Sequence, residues 1–172
     1  MGSPTIASIF AQRVIIGVGD LAVSNQASTT LSTYALGSCV AVTAYDPVLK
    51  VGGILHLMLP ESKISPEKAS AQPAMFADTG LPLLFHHLTN FRADTSRLKI
   101  YLAGGASVIG GNDPFRIGER NVEITLKILS QMGVPITNAD LRGTINRTVH
   151  LELSSGKLTL KTPRGQSEFS LA

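Results

Sequence analysis

The stretch that most constrains this chain is CVAVTAYDPVLKVGGILHLML, from Cys39 to Leu59. Two apolar runs flank Asp46-Pro47. Asp at the first position and Pro at the second are favoured in a type I turn, so the segment predicts a hairpin. A turn over Asp46–Leu49 sets Asp46 against Leu49 and Tyr45 against Lys50. Counting back at that register sets Cys39 against His56. Directly opposed residues share a face of the sheet, with Cβ atoms about 4.5–5.5 Å apart. Gly52-Gly53 is the point where a bulge would turn His56 to the other face.

Cys39 is the only cysteine. A lone cysteine in an apolar run is commonly a small core residue. Opposite an imidazole it can instead be a nucleophile, because the ring can take its proton and stabilise the thiolate. Such a histidine needs a third group to set its tautomer. The preceding strand offers Thr29, Thr30, Ser32, Thr33 and Tyr34, and spacing does not choose among them. Between them and Cys39 lies a bend, Leu36-Gly37-Ser38. A glycine there lets backbone N–H groups of Gly37 and Ser38 converge as an oxyanion hole does.

The chain of 172 residues suits one domain. Residues 1–13 read as a lead-in and 14–172 as the domain. A content of 44% hydrophobic and 16% charged residues marks a globular chain. The net charge of +3 is spread out, with no Lys/Arg run, which argues against nucleic acid as a partner. One cysteine excludes an intrachain disulfide, and a reducing cytoplasm fits. No signal peptide is expected, nor membrane insertion, since no run approaches the roughly 18 apolar residues of a spanning helix.

Along the chain, Val14–Val18 reads as a first strand closed by Gly19-Asp20. STTLSTYAL, RLKIY, RTVHLEL and KLTLKT read as further strands, the last two joined by Ser154-Ser155-Gly156, and SEFSL as a short final one. Glu61–Gln72 reads as a surface loop. Leu81, Leu84, Phe85, Leu88 and Phe91 recur at helical spacing, with Pro82 starting or interrupting that helix. A second helix carries Val122, Leu126, Leu129 and Met132 on one face and stops at Gly133. The expectation is α/β, with two main helices and about eight strands.

Here the residues carry a resemblance. TYALGSCVAVTAYDPVLKVGGILHLMLPES, FADTG, AGGAS and IGERNVE resemble the CheD family of bacterial chemoreceptor glutamine deamidases, over about Val14 to Lys161. The resemblance implies a single-domain layered α/β/β sandwich with a papain-like centre. It implies Cys39 as nucleophile, His56 as general base and acid, and Thr33 as the residue that orients the ring. It implies no metal and no organic cofactor. The implied substrates are glutamines on the cytoplasmic domains of methyl-accepting chemotaxis receptors. The CheC phosphatase is an implied partner, and receptor methylesterase activity has been credited to some members. The chain departs from the family at Arg142-Gly143, where Gly-Gly is common.

Other features have plainer readings. Gly104-Gly105-Ala106-Ser107 lacks the lysine of a phosphate loop and reads as tight packing near the site. Arg120 or Asn121, at a helix start, could shape a substrate groove. His86 and His87 read as surface or partly buried helix residues, and His150 as a solvent-facing strand residue. Asp78-Thr79 reads as a helix cap. Against the enzyme stands an adaptor that binds chemoreceptors and CheC without turnover. A cysteine peptidase or other amidase is a third reading.

Overall fold

The computed structural model describes residues 11–108 and 113–172. Most of the expected lead-in therefore lies outside the described residues. Among those described, ten strands form two five-stranded sheets. One sheet has the order β1 (Gln12–Ile15), β3 (Thr29–Leu36), β8 (Arg147–Glu152), β9 (Lys157–Thr162), β10 (Gly165–Ser170). The other has the order β2 (Asp20–Ser24), β5 (Val51–Leu57), β4 (Val40–Asp46), β6 (Lys99–Gly104), β7 (Asn138–Leu141). The helices are α1 (Pro66–Ala71), α2 (Ala77–Asn90) and α3 (Ile117–Gln131).

Two apolar layers make this an α/β/β sandwich. Leu81, Leu84 and Leu88 of α2, with Val122 and Leu129 of α3, pack on Val42, Leu55 and Leu57 of the second sheet. The opposite face of that sheet, with Ala41, Ile54 and Tyr101, packs on Leu31, Val149 and Leu158 of the first. Strands β4 and β5 are therefore covered on both sides, and every one of their residues is buried. This is why their sequences read as near-continuous apolar runs. Each fully buried Val, Leu or Ile contributes about 1.5–3 kcal/mol relative to exposure.

Gly52-Gly53 holds no bulge: the β4–β5 register is unbroken from Val40–Leu57 to Asp46–Val51. A Cβ at Gly53 would come 2.8 Å from the Val23 side chain and 3.0 Å from Leu84, and one at Gly52 would collide with Leu153. The pair is small because both layers press on the strand there.

Several local expectations are corrected. The first strand ends at Ile15, and β2 and β7 are additional short edge strands. Glu61–Gln72 is not a plain loop; it holds a 3-10 turn, Ser62–Ile64, and α1, which opens on Pro66. Pro82 neither starts nor breaks α2, which begins one turn earlier at Ala77. In α3 the buried face includes Asn121, Val122, Thr125 and Leu129, whereas Met132 is exposed. Gly133, at φ +69°, ends that helix as expected.

The β4–β5 connection also differs from a two-residue turn. Asp46 pairs with Val51, so Pro47–Lys50 all lie in the connection, and Lys50 takes φ +55°. Asp46 organises it. Its Oδ1 accepts from Val48 N–H and Leu49 N–H, and Oδ2 accepts from Asp94 N–H and Arg97 Nη2. Burial pushes this carboxyl up, but Arg97 and those backbone N–H groups outweigh it and hold the group at about 2. The depressed value makes its stabilisation complete above the ordinary carboxyl range and lost as pH falls toward about 2. Asp46→Asn is expected to lower the unfolding free energy by about 2–3 kcal/mol at neutral pH, read from urea denaturation.

Candidate active site

His56 lies in β5 of one sheet and Thr33 in β3 of the other, both facing the layer between them and both buried. Thr33 Oγ1 donates its only proton to the Ile16 carbonyl at 2.8 Å. Toward His56 Nδ1, 2.7 Å away, the same oxygen must therefore accept. Nδ1 thus carries the ring proton, and the lone pair is on Nε2. Nε2 is buried and makes no hydrogen bond among the described residues. Burial pushes the imidazole down to about 4, so the ring is neutral at neutral pH.

The predicted pairing of Cys39 with His56 is not the observed one. His56 faces Ala41, because the connection holds two more residues than the assumed turn. A slip of two preserves the face. Cys39, directly before β4, is thereby a diagonal neighbour of His56 on the same side, within the reach typical of such pairs, roughly 7–8 Å between backbones. It is half-buried and packs against the apolar layer between the sheets. Burial pushes its thiol up, opposed in part by its own backbone N–H. Thiol and imidazole are both held in their neutral forms, and Nε2 is the free base on that face.

The bend before Cys39 is held by its carbonyls. Those of Gly37 and Cys39 accept from Ala106 N–H and Gly105 N–H, each at 2.8 Å. That of Ser38 accepts from Asn121 Nδ2 at 2.9 Å. The same Nδ2 donates to the Met58 carbonyl at 2.9 Å. Gly37 N–H is occupied by the Ala35 carbonyl at 3.0 Å, which removes it from the expected pair of oxyanion donors. Among the described residues, the N–H groups of Ser38 and Cys39 donate to no carbonyl, and that of Cys39 serves its own sulfur.

The AGGAS and IGERN stretches are the backing of this bend. Gly104 has φ +115°, and a Cβ on it would overlap the Cys39 carbonyl. A Cβ on Gly105 would strike Val122, and one on Gly118 would come 2.5 Å from the Ala106 carbonyl. Tight packing, as expected for Gly104–Ser107, brings α3 against the bend. Beside it is a largely apolar pocket of about 220 Å³ lined by Ser38, Met58, Leu59, Ala106, Val108 and Ile117. A larger pocket of about 530 Å³ adjoins Gly105, Arg116, Glu119 and Arg142.

Residues weighed in the sequence fall elsewhere. His150 is not solvent-facing in effect; it is buried, with Ser32 Oγ 2.7 Å from Nδ1 and the Tyr34 ring edge-on to it. His86 is exposed and His87 half-buried on α2. Asp78 and Thr79 do not cap α2. Asp78 accepts from Ser62 N–H and Oγ, and Thr79 donates to the Pro73 carbonyl, so both fasten the segment after Pro60. Arg142 takes φ +68° and Gly143 φ +73°, a backbone path that glycine follows without strain. Among the described residues, no group of three His, Cys, Asp or Glu is placed to hold a metal. No helix among them is long and apolar enough to cross a membrane.

Because the folded ring resists the proton that the unfolded ring takes near its ordinary 6.5, stability is expected to fall as pH drops from 6.5 toward 4. An NMR titration of the His56 ring protons should give a midpoint near 4. A midpoint near 6.5 would contradict the depression by burial.

Comparison with known proteins places the chain among relatives of consistent description. A family described as CheD, chemotactic sensory transduction, matches residues 58–162. A protein of Syntrophus aciditrophicus, named "Probable chemoreceptor glutamine deamidase CheD 1", is 44% identical over 88% of this chain and 95% of its own length. A similarly named protein of Solibacter usitatus is 41% identical over 92% and 94% of the two chains. One from Pyrococcus abyssi is 39% identical over 87% and 91%.

Proposed function

The chain belongs to the CheD family, and from that membership we propose that it is a protein-glutamine deamidase acting on chemotaxis receptors in the cytoplasm. Its relatives are named as chemoreceptor glutamine deamidases. The observation that carries the mechanism is the fixed tautomer of His56: Thr33 holds Nδ1–H and leaves Nε2 as a base on the face that Cys39 shares.

In this reading Cys39 Sγ attacks the carboxamide carbon of a receptor glutamine. Its proton passes to His56 Nε2 as the C–S bond forms, since thiol and ring both start neutral. The oxyanion is met by the N–H groups of Ser38 and Cys39. His56 returns the proton to the nitrogen, the C–N bond breaks and ammonia leaves. Water then attacks the thioester and gives a proton to His56, which passes it to Sγ as the C–S bond breaks. The products are glutamate and the restored thiol. Thr33 acts through the imidazole, by keeping the ring in one tautomer.

Incubation with a receptor cytoplasmic fragment, followed by peptide mass spectrometry, tests the reading. The parent chain should convert specific Gln to Glu. Cys39→Ala and His56→Gln should lower the rate by about a thousandfold or more while remaining folded. Thr33→Ala should lower it by about tenfold to a hundredfold, as expected for a residue that orients the base. Parent-like turnover by Cys39→Ala would overturn the assignment.

A further inference from the structure

Resting on the deamidase reading, we propose that Asn121 is a positioning residue that aims the oxyanion donor of the site. Asn121 is wholly buried on the inner face of α3. Its amide lies between two carbonyl oxygens, those of Ser38 and Met58, each 2.9 Å from Nδ2. Carbonyl oxygens only accept, so the group between them must be the NH2, and the amide orientation follows from chemistry. One side chain thereby joins the residue before Cys39 to the residue two positions after His56.

The consequence follows from the planarity of the peptide. The C=O of Ser38 and the N–H of Cys39 belong to one trans unit and point in opposite directions. Pinning that C=O onto Asn121 turns the Cys39 N–H away from α3. Beyond the sulfur of its own residue, that N–H finds no acceptor among the described residues, so it is available to developing negative charge. The neighbouring carbonyls, of Gly37 and Cys39, are held by backbone N–H groups. Of the three, only the Ser38 carbonyl depends on a side chain.

Asn121 Oδ1 is buried and has no hydrogen-bond partner among the described residues. An apolar side chain of the same size would remove that atom but leave the Ser38 and Met58 carbonyls without this donor. The amide group earns its place through the two carbonyls it holds.

Asn121→Leu, close in size and lacking the donors, tests this, with Asn121→Ala read in the same way. Two rates are measured: deamidation of the receptor fragment, and alkylation of Cys39 by iodoacetamide. Alkylation needs the sulfur and its base but develops no oxyanion. The expected result is a kcat lowered about tenfold to a hundredfold with KM within about threefold of the parent. The alkylation rate should also stay within about threefold. An unchanged kcat, a rise in KM alone, or a parallel fall of both rates would overturn the proposal. So would failure of both variants to fold by circular dichroism, which would make Asn121 a structural residue. If the parent chain itself leaves the fragment unchanged, or Cys39→Ala converts it equally well, the deamidase reading falls and this inference with it.

Discussion

The fold turns on one hydrogen bond that crosses between its sheets. Thr33 stands on the first sheet and His56 on the second, and their 2.7 Å contact is possible only at the observed stacking. The chain itself passes from one sheet to the other between Ile15 and Asp20, beside this contact. Ile16 supplies the carbonyl that takes the Thr33 proton, and Gly19 N–H donates to the His56 carbonyl at 2.8 Å. Crossover, register and tautomer are therefore one constraint. A change in the spacing of the sheets would reach the imidazole directly.

Close packing on the other side completes that constraint. Gly104, Gly105 and Gly118 let β6 and the start of α3 approach the Gly37–Cys39 bend without an intervening Cβ. The three carbonyls of the bend are all held, while the N–H groups of Ser38 and Cys39 donate to no carbonyl among the described residues. These residues are half-buried, and Ser38 helps to line the largely apolar pocket beside the bend.

Much of this was legible in the sequence, and the gaps have physical reasons. The Asp46-Pro47 hinge located the hairpin, since Asp and Pro are favoured at the first two turn positions. Its length was not legible, because the Asp46 side chain bonds Val48, Leu49, Asp94 and Arg97 and so stabilises a longer connection. The error was of even parity, and the shared face survived it. β2 and β7 escaped notice as short edge strands with half-exposed residues and weak alternation. Thr33 could not be separated from its neighbours by spacing; the family resemblance singled it out, and its Oγ1 lies 2.7 Å from His56 Nδ1. Asn121 left one trace: a polar residue on the apolar face of an amphipathic helix. His150 misled because strand alternation reports direction, not what Ser32 and Tyr34 lay against it.

The neutral state of Cys39 bears on more than acid–base chemistry. Peroxides and disulfides react with thiolates far faster than with thiols. A sulfur kept protonated by its surroundings, in a chain with no second cysteine to resolve a sulfenic acid, is poorly suited to redox signalling. The burial that raises the thiol therefore also slows its reaction with oxidants, which runs through the thiolate.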